Sequence, residues 1–191
     1  MNKYAKKVVV QVVQHLRAGG IECLVLEMLR SSSMNKTEEM HIISLEGSME
    51  EALLHWPRLL PYKKKLHFLN KQSGISISCI FAVKKLLKSL NADVVHSHHI
   101  GPLLYAGIAA KLAGITSRIH TEHDAWHMQN EKRRRLESLL LNWIKPILVA
   151  DAKGVQQQLD IYQPGYPSHI IHNGVDCKVY HKGNQSYARE Q

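Results

Sequence analysis

Short apolar runs of strand length alternate along the chain with stretches in which apolar residues recur every three or four positions. Residues 8–13 (VVVQVV) are mostly β-branched, as a strand buried on both faces requires, and the break Arg17-Ala18-Gly19-Gly20 leads into helical spacing over residues 21–29. The same pattern predicts strands at 41–45, 65–69, 94–96, 117–121, 147–150 and 168–172. Helices are predicted over 49–54, 77–90 and 131–144, with Pro102 in the first turn of another and Gly114 just past its end. Asp151 is the expected cap of a last helix carrying Val155 and Leu159. Pro57 and Pro61 mark a loop that also holds Lys63-Lys64-Lys65. Strand-then-helix alternation of this kind implies α/β architecture around a parallel sheet.

Composition leaves that picture intact. Hydrophobic residues make up 45% and charged residues 21%, which excludes a disordered or fibrous chain, and the length suits one core. The three cysteines are widely spaced and form no C-x-x-C pair, so a reducing, cytoplasmic setting is expected rather than a disulfide framework. No run of about 18 apolar residues occurs, so any membrane contact is expected to be peripheral. Charge does narrow the partners: 25 Lys and Arg against 16 Asp and Glu give +9, which favours phosphate-bearing or anionic ones.

In open parallel sheets ligands bind beyond the carboxyl ends of the strands, so polar residues just after each strand carry the chemistry. Three places qualify. Gly19-Gly20 lacks side chains at a helix start, where backbone amides can meet a phosphate; a plain turn explains it equally. His96-Ser97-His98-His99 and His120-Thr121-Glu122-His123 each follow a predicted strand and resemble two parts of one polar pocket. Alternation puts His96 and His98 on one side and His99 on the other. Zinc-type spacing is missing, so no metal is expected. Lys132 to Arg135, followed by Leu136, Leu139, Leu140, Leu141, Trp143 and Ile144, suits either a solvated face or a helix lying on an anionic membrane. Nucleic acid is not an expected partner, because aromatic residues are only 6% and do not interleave with the basic ones.

Five segments in order, 13–22 (VQHLRAGGIE), 92–113 (ADVVHSHHIGPLLYAGIAAKLA), 117–123 (SRIHTEH), 148–159 (LVADAKGVQQQL) and 170–176 (IIHNGVD), resemble the amino-terminal, acceptor-side half of a family 4 glycosyltransferase of the GT-B fold. The resemblance implies an α/β, Rossmann-like three-layer domain over residues 1–176 with a mostly parallel sheet of six or seven strands. Residues 177–191 are then the start of an interdomain linker or a frayed tail. It further implies retaining transfer of a sugar from a nucleotide-sugar donor to a glycan or lipid-linked acceptor, with no cofactor and no metal ion; the basic charge is what suggests a place at the inner face of the membrane. Gly19, Gly20, His98, His120, Thr121 and His123 are the substrate-binding residues the resemblance suggests, and no catalytic residue is assigned. The paired glutamates that grip the donor in this family belong to a second half; Glu38 and Glu46 have the spacing but the wrong location. A non-catalytic module that binds glycan or lipid is the alternative reading.

Overall fold

The computed structural model describes residues 6–34, 37–174, 177 and 183. The expected boundary at residue 176 and most of the expected tail lie outside these residues. Seven strands form one sheet: β1 (Lys7–Val13), β2 (Glu38–Ser44), β3 (Leu66–Phe68), β4 (Val94–His98), β5 (Ser117–Glu122), β6 (Ile147–Ala150) and β7 (Ser168–Ile170). Their order is β3-β2-β1-β4-β5-β6-β7, and every neighbouring pair is parallel. The order reverses between β1 and β4, which opens a crevice beyond their carboxyl ends.

Helices α1 (Gly20–Met34) and α2 (Met49–His55) join successive strands in the first half. The helix α3 (Ile77–Ser89) precedes β4. A continuous helical stretch follows it, made of α4 (Ile100–Pro102), a π-helical turn (Leu103–Gly107) and α5 (Ile108–Leu112). Helices α6 (Glu131–Ile144) and α7 (Lys153–Tyr162) flank β6. Local chemistry sets these ends. Ser48 and Ser76 accept backbone N–H groups at the starts of α2 and α3, and Asn130 does so at α6. Gly114, at φ 79°, and Lys145, at φ 54°, turn the chain out of α5 and α6 in left-handed conformations.

Alternation along the strands divides the core into two layers. Val13 of β1 and Ile42 of β2 face Val25, Leu26 and Leu29 of α1, and each such burial contributes about 1.5–3 kcal/mol. Val10, Val12 and Val95 point the other way, against Val83 and Leu87 of α3 and the small residues Ala106, Ala109 and Ala110. The second face continues under β6, where Leu148 and Ala150 pack with Leu140, Leu141 and Ile144 of α6 and Leu159 of α7.

Three local expectations are corrected. The segment with Pro57 and Lys63 to Lys65 is a 3-10 helix (Pro57–Lys65) rather than a loop, since Pro57 at its start has no N–H to lose and Leu59 is buried beneath it. α1 runs to Met34, beyond residue 29, because Ser32 continues its buried face. Asp151 caps nothing: α7 starts after Ala152 with no side-chain cap, and the Asp151 carboxylate is engaged elsewhere.

Candidate active site

The polar residues following β1, β4, β5 and β6 converge at one edge of the sheet, and the period-two alternation of β4 and β5 sorts them onto opposite faces. On the α1 side, the His96 and His98 rings lie with centroids 4.2 Å apart, tilted 34° to each other. Thr121, paired in register with His98, shares a 2.7 Å hydrogen bond with His96 Nε2. His98 Nε2–H donates to Gln11 Oε1 at 2.9 Å, and His98 Nδ1 lies 3.0 Å from His123 Nε2. His123 Nδ1–H donates to Asp151 Oδ2 at 3.0 Å, an oxygen that also accepts from Asn173 Nδ2–H at 2.9 Å. A line of polar groups thus runs from the middle of β1 to the end of β7. His96, His98, Thr121, His123, His172 and Asn173 border a cavity of about 170 Å³ with Leu24 and Met28 of α1 at its side.

A second cleft, of about 400 Å³, adjoins it across His98 and is bordered by Gln14, Gly20, Glu22 and His99. The two glycines differ here. A side chain at Gly19 would collide with the Glu22 carboxylate, whereas one at Gly20 would meet nothing within 4 Å. Glu22 also takes His15 Nδ1 at 3.0 Å, so its carboxylate is turned to its own neighbours while the first residue of α1 stays open.

His120 lies on the other face. Its ring is fully buried; Nδ1 accepts from Ser97 Oγ at 3.0 Å and Nε2–H donates to Glu122 Oε1 at 2.7 Å. Glu122 is fully buried as well, and its second oxygen accepts from His99 Nδ1–H at 3.3 Å. The α6 side chain Glu137, also without exposure, accepts from His127 Nε2–H at 2.6 Å through Oε2, while its Oε1 has no hydrogen-bond partner. Asp124 lies between His99 and His127. His99 has φ 67° and ψ 164°, a backbone region almost reserved for glycine, at a cost of about 1–3 kcal/mol. That turn carries its ring from the sheet to the Glu122 layer.

Burial governs the charge states. Desolvation and the neighbouring imidazoles push His96 down to about 3 and His98 well below its ordinary value, so both are neutral at pH 7. Burial also lowers His123, with Asp151 pulling the other way. On the opposite face, burial opposes ionisation of Glu122, but the His120 ring and the His99 hydrogen bond outweigh it and hold the carboxylate at about 2. For His127, burial is outweighed by Glu137, Glu122 and Asp124, which raise it to about 9. The His96 and His98 rings on the α1 side are therefore neutral, and the α6 side holds the ionised Glu122 carboxylate behind them.

Of the residues expected from the sequence, Gly20 and His98 share one cleft, and His98, Thr121 and His123 share the other. Gly19 faces Glu22, and His120 borders neither cleft. Several participants escaped the sequence reading, Asp124 and His127 among them. Gln11 interrupts an otherwise β-branched run, and Glu137 interrupts the apolar stripe of Leu140, Leu141 and Ile144; both interruptions are visible signals. Asp151 and Asn173 carry no local sign, because only the parallel register brings them to His123.

A seven-stranded parallel sheet with helices on both faces, order reversal at its centre and a glycine-led helix at the crevice define a Rossmann-like half of a GT-B protein. The family model of Glycosyltransferase Family 4 matches residues 5–179, and the chain belongs to that family. Among solved structures, a glycosyltransferase from Rickettsia africae matches with TM-score 0.71 at 23% identity, covering 92% of this chain and 45% of that one. The lipopolysaccharide outer core galactosyltransferase WaaB matches with TM-score 0.60 at 14% identity, over 88% of this chain and 46% of that one. A Methanocaldococcus jannaschii UDP-GlcNAc 2-epimerase, solved with UDP-GlcNAc and UDP, matches with TM-score 0.60 at 15% identity, over 88% and 47%. At these identities the likeness is one of fold. The chain spans less than half the length of these structures. No curated protein sequence matches it.

Proposed function

We propose that this chain is the acceptor-side half of a retaining glycosyltransferase that moves a sugar from a nucleotide-sugar donor to a glycan or lipid-linked acceptor. The observation that carries the reading is the convergence of open Gly20, His98, Thr121 and His123 on two adjoining clefts at the carboxyl edge of the sheet. Departure of a nucleoside diphosphate leaves negative charge on phosphate. The unobstructed amide end of α1 at Gly20 is suited to receive it. His123, oriented by Asp151, is the histidine we place beside the transferred sugar. This role moves from His120, whose two nitrogens are spent inside the protein. Thr121 acts by fixing His96, and Gly19 by seating Glu22. The transfer needs no cofactor or metal in this reading.

The test is acceptor-dependent release of nucleoside diphosphate from UDP- or GDP-sugars by this chain joined to a donor-binding second half. His123→Ala is expected to lower kcat by about 10²–10³-fold, Gly20→Val to weaken donor binding, and the chain by itself to release nothing. Robust turnover by the chain alone would overturn the half-transferase reading. A joined protein that binds donor but never releases diphosphate would favour a non-catalytic module that binds glycan or lipid.

The lipid-linked acceptor is supported by α6, whose outward face sets Leu136, Leu139 and Trp143 beside exposed Lys132, Arg133 and Arg135. Among the described residues no helix is long and apolar enough to cross a membrane, so contact at the inner face of the membrane is made by this stripe. Each basic residue near an anionic surface contributes about 1 kcal/mol. Sedimentation with anionic vesicles, weakening as salt rises, is the expected result; equal binding to neutral vesicles sinks the electrostatic part.

A further inference from the structure

We infer that His99, Asp124 and His127 form a binding site for a divalent first-row transition-metal ion, with Zn²⁺ as its representative, behind the candidate cleft. The site departs from the expectation of a metal-free chain; His99 also borders the larger cleft, but the proposed transfer uses none of the three residues. Asp124 Oδ2 lies 3.8 Å from His99 Nε2, and Asp124 Oδ1 lies 3.7 Å from His127 Nδ1. Both distances are too long for hydrogen bonds. Each runs to a different Asp124 oxygen and is a little longer than the edge, roughly 3.4 Å, of a tetrahedron whose corners sit about 2.0–2.1 Å from a central ion, so binding through one oxygen needs a small turn of the carboxylate. The potential ligand atoms of the three side chains all lie within 4.8 Å of one another.

What stands behind the three residues strengthens the assignment. The other nitrogen of His99 donates to Glu122 and the other nitrogen of His127 donates to Glu137. Each imidazole is thereby held with one nitrogen turned toward Asp124, which is how carboxylates orient metal-bound histidines. Both supporting carboxylates are fully buried, and Glu137 Oε1 has no hydrogen-bond partner, so one acceptor of this layer is left without a donor. Two imidazoles and one carboxylate suit zinc or its neighbours, leaving a fourth position for water. The exposed parts of His99 and Asp124, 31% and 38% of their side chains, lie on the open side. The unfavourable backbone of His99 is what delivers its ring to this place.

The experiment is titration of the chelator-treated chain with Zn²⁺ against a competing indicator, followed by Co²⁺ substitution read by visible absorption. One site is expected, giving the absorption bands of four-coordinate cobalt. Asp124→Asn and His99→Gln should each weaken Zn²⁺ binding at least about tenfold. Asp124→Asn should leave the metal-free urea midpoint nearly unchanged, because its side chain reaches solvent, whereas His99→Gln also removes a hydrogen bond to buried Glu122 and is expected to lower it. His67→Gln, in the separate pair where His41 Nδ1 and His67 Nε2 lie 3.0 Å apart, should not alter the affinity. Unchanged binding in both site variants, loss in the His67 variant instead, or absence of a single dominant site each overturns the inference.

Discussion

Replacing His96 by Gln tests whether a neutral imidazole is enforced at the cleft. In the folded chain burial holds His96 at about 3, against 6.5 for the free side chain. Below 6.5 the unfolded chain therefore binds a proton that the folded one refuses, and stability falls as the pH drops through that value. At pH ~5 the unfolded imidazole is almost wholly charged and the folded one almost wholly neutral. The penalty relative to pH ~7.5 is thus about 1.5 pH units, or about 2 kcal/mol. This magnitude is fixed by the unfolded value, so a native pKa anywhere below about 4 gives nearly the same result. Other groups titrate in the same range, notably His127, which gains stability as it protonates. They are common to both proteins and cancel in the difference. Urea unfolding followed by tryptophan fluorescence, for wild type and His96→Gln at both pH values, isolates the effect. The wild type should lose about 2 kcal/mol more than the variant, roughly a 1 M difference in midpoint shift at a typical urea slope. A wild-type-minus-variant difference that is the same at both pH values would refute the reasoning.

Gly107→Ala should cost about 1–3 kcal/mol, because the new carbon would stand 2.8 Å from Ile144 Cδ1 and 3.2 Å from Leu103 Cδ1; Gly20→Ala, facing open space, should stay within about 0.5 kcal/mol by the same unfolding assay. Leu141→Ala empties a fully buried position between α6 and the sheet and should cost about 2–5 kcal/mol in urea midpoint analysis. Glu122→Gln should cost about 3 kcal/mol at pH ~7. The native carboxylate is depressed from 4.5 to about 2, so its contribution is present above 4.5 and lost as the pH falls toward 2. The wild-type advantage should accordingly shrink in acid unfolding series.

Wherever one residue's period or chemistry acts locally, the fold was legible in the chain. The β-branched run of β1, Pro102 and Gly114 at the ends of the helical stretch, and the apolar stripe of α3 all lie where their patterns point. The π-helical turn was not legible, since the residues from Leu103 to Gly107 carry no local pattern that separates it from an α-helix. The candidate site was legible as a place but not as an assignment of roles. His120 and His123 look equivalent in the string HTEH, yet strand alternation buries the first against Ser97 and Glu122 while the second, beyond the strand, lines the cavity. Asp151 looks like a helix cap and is instead drawn to His123 and Asn173, because two charge-assisted bonds outcompete a cap on an exposed helix start.

The placement of β1 sets the order in which the molecule can be assembled. Its pairing with β2 closes a short stretch of chain, but its pairing with β4 joins Val9 to Val94 and Val12 to Ser97 across most of the first half of the sequence. Until that distant partner arrives, one edge of β1 stays unpaired, a sticky template on a growing polypeptide. Such long-range closure slows folding toward the millisecond-to-second regime. An emerging ribosomal product therefore has to keep this strand safe until the chain has been made through Ser97.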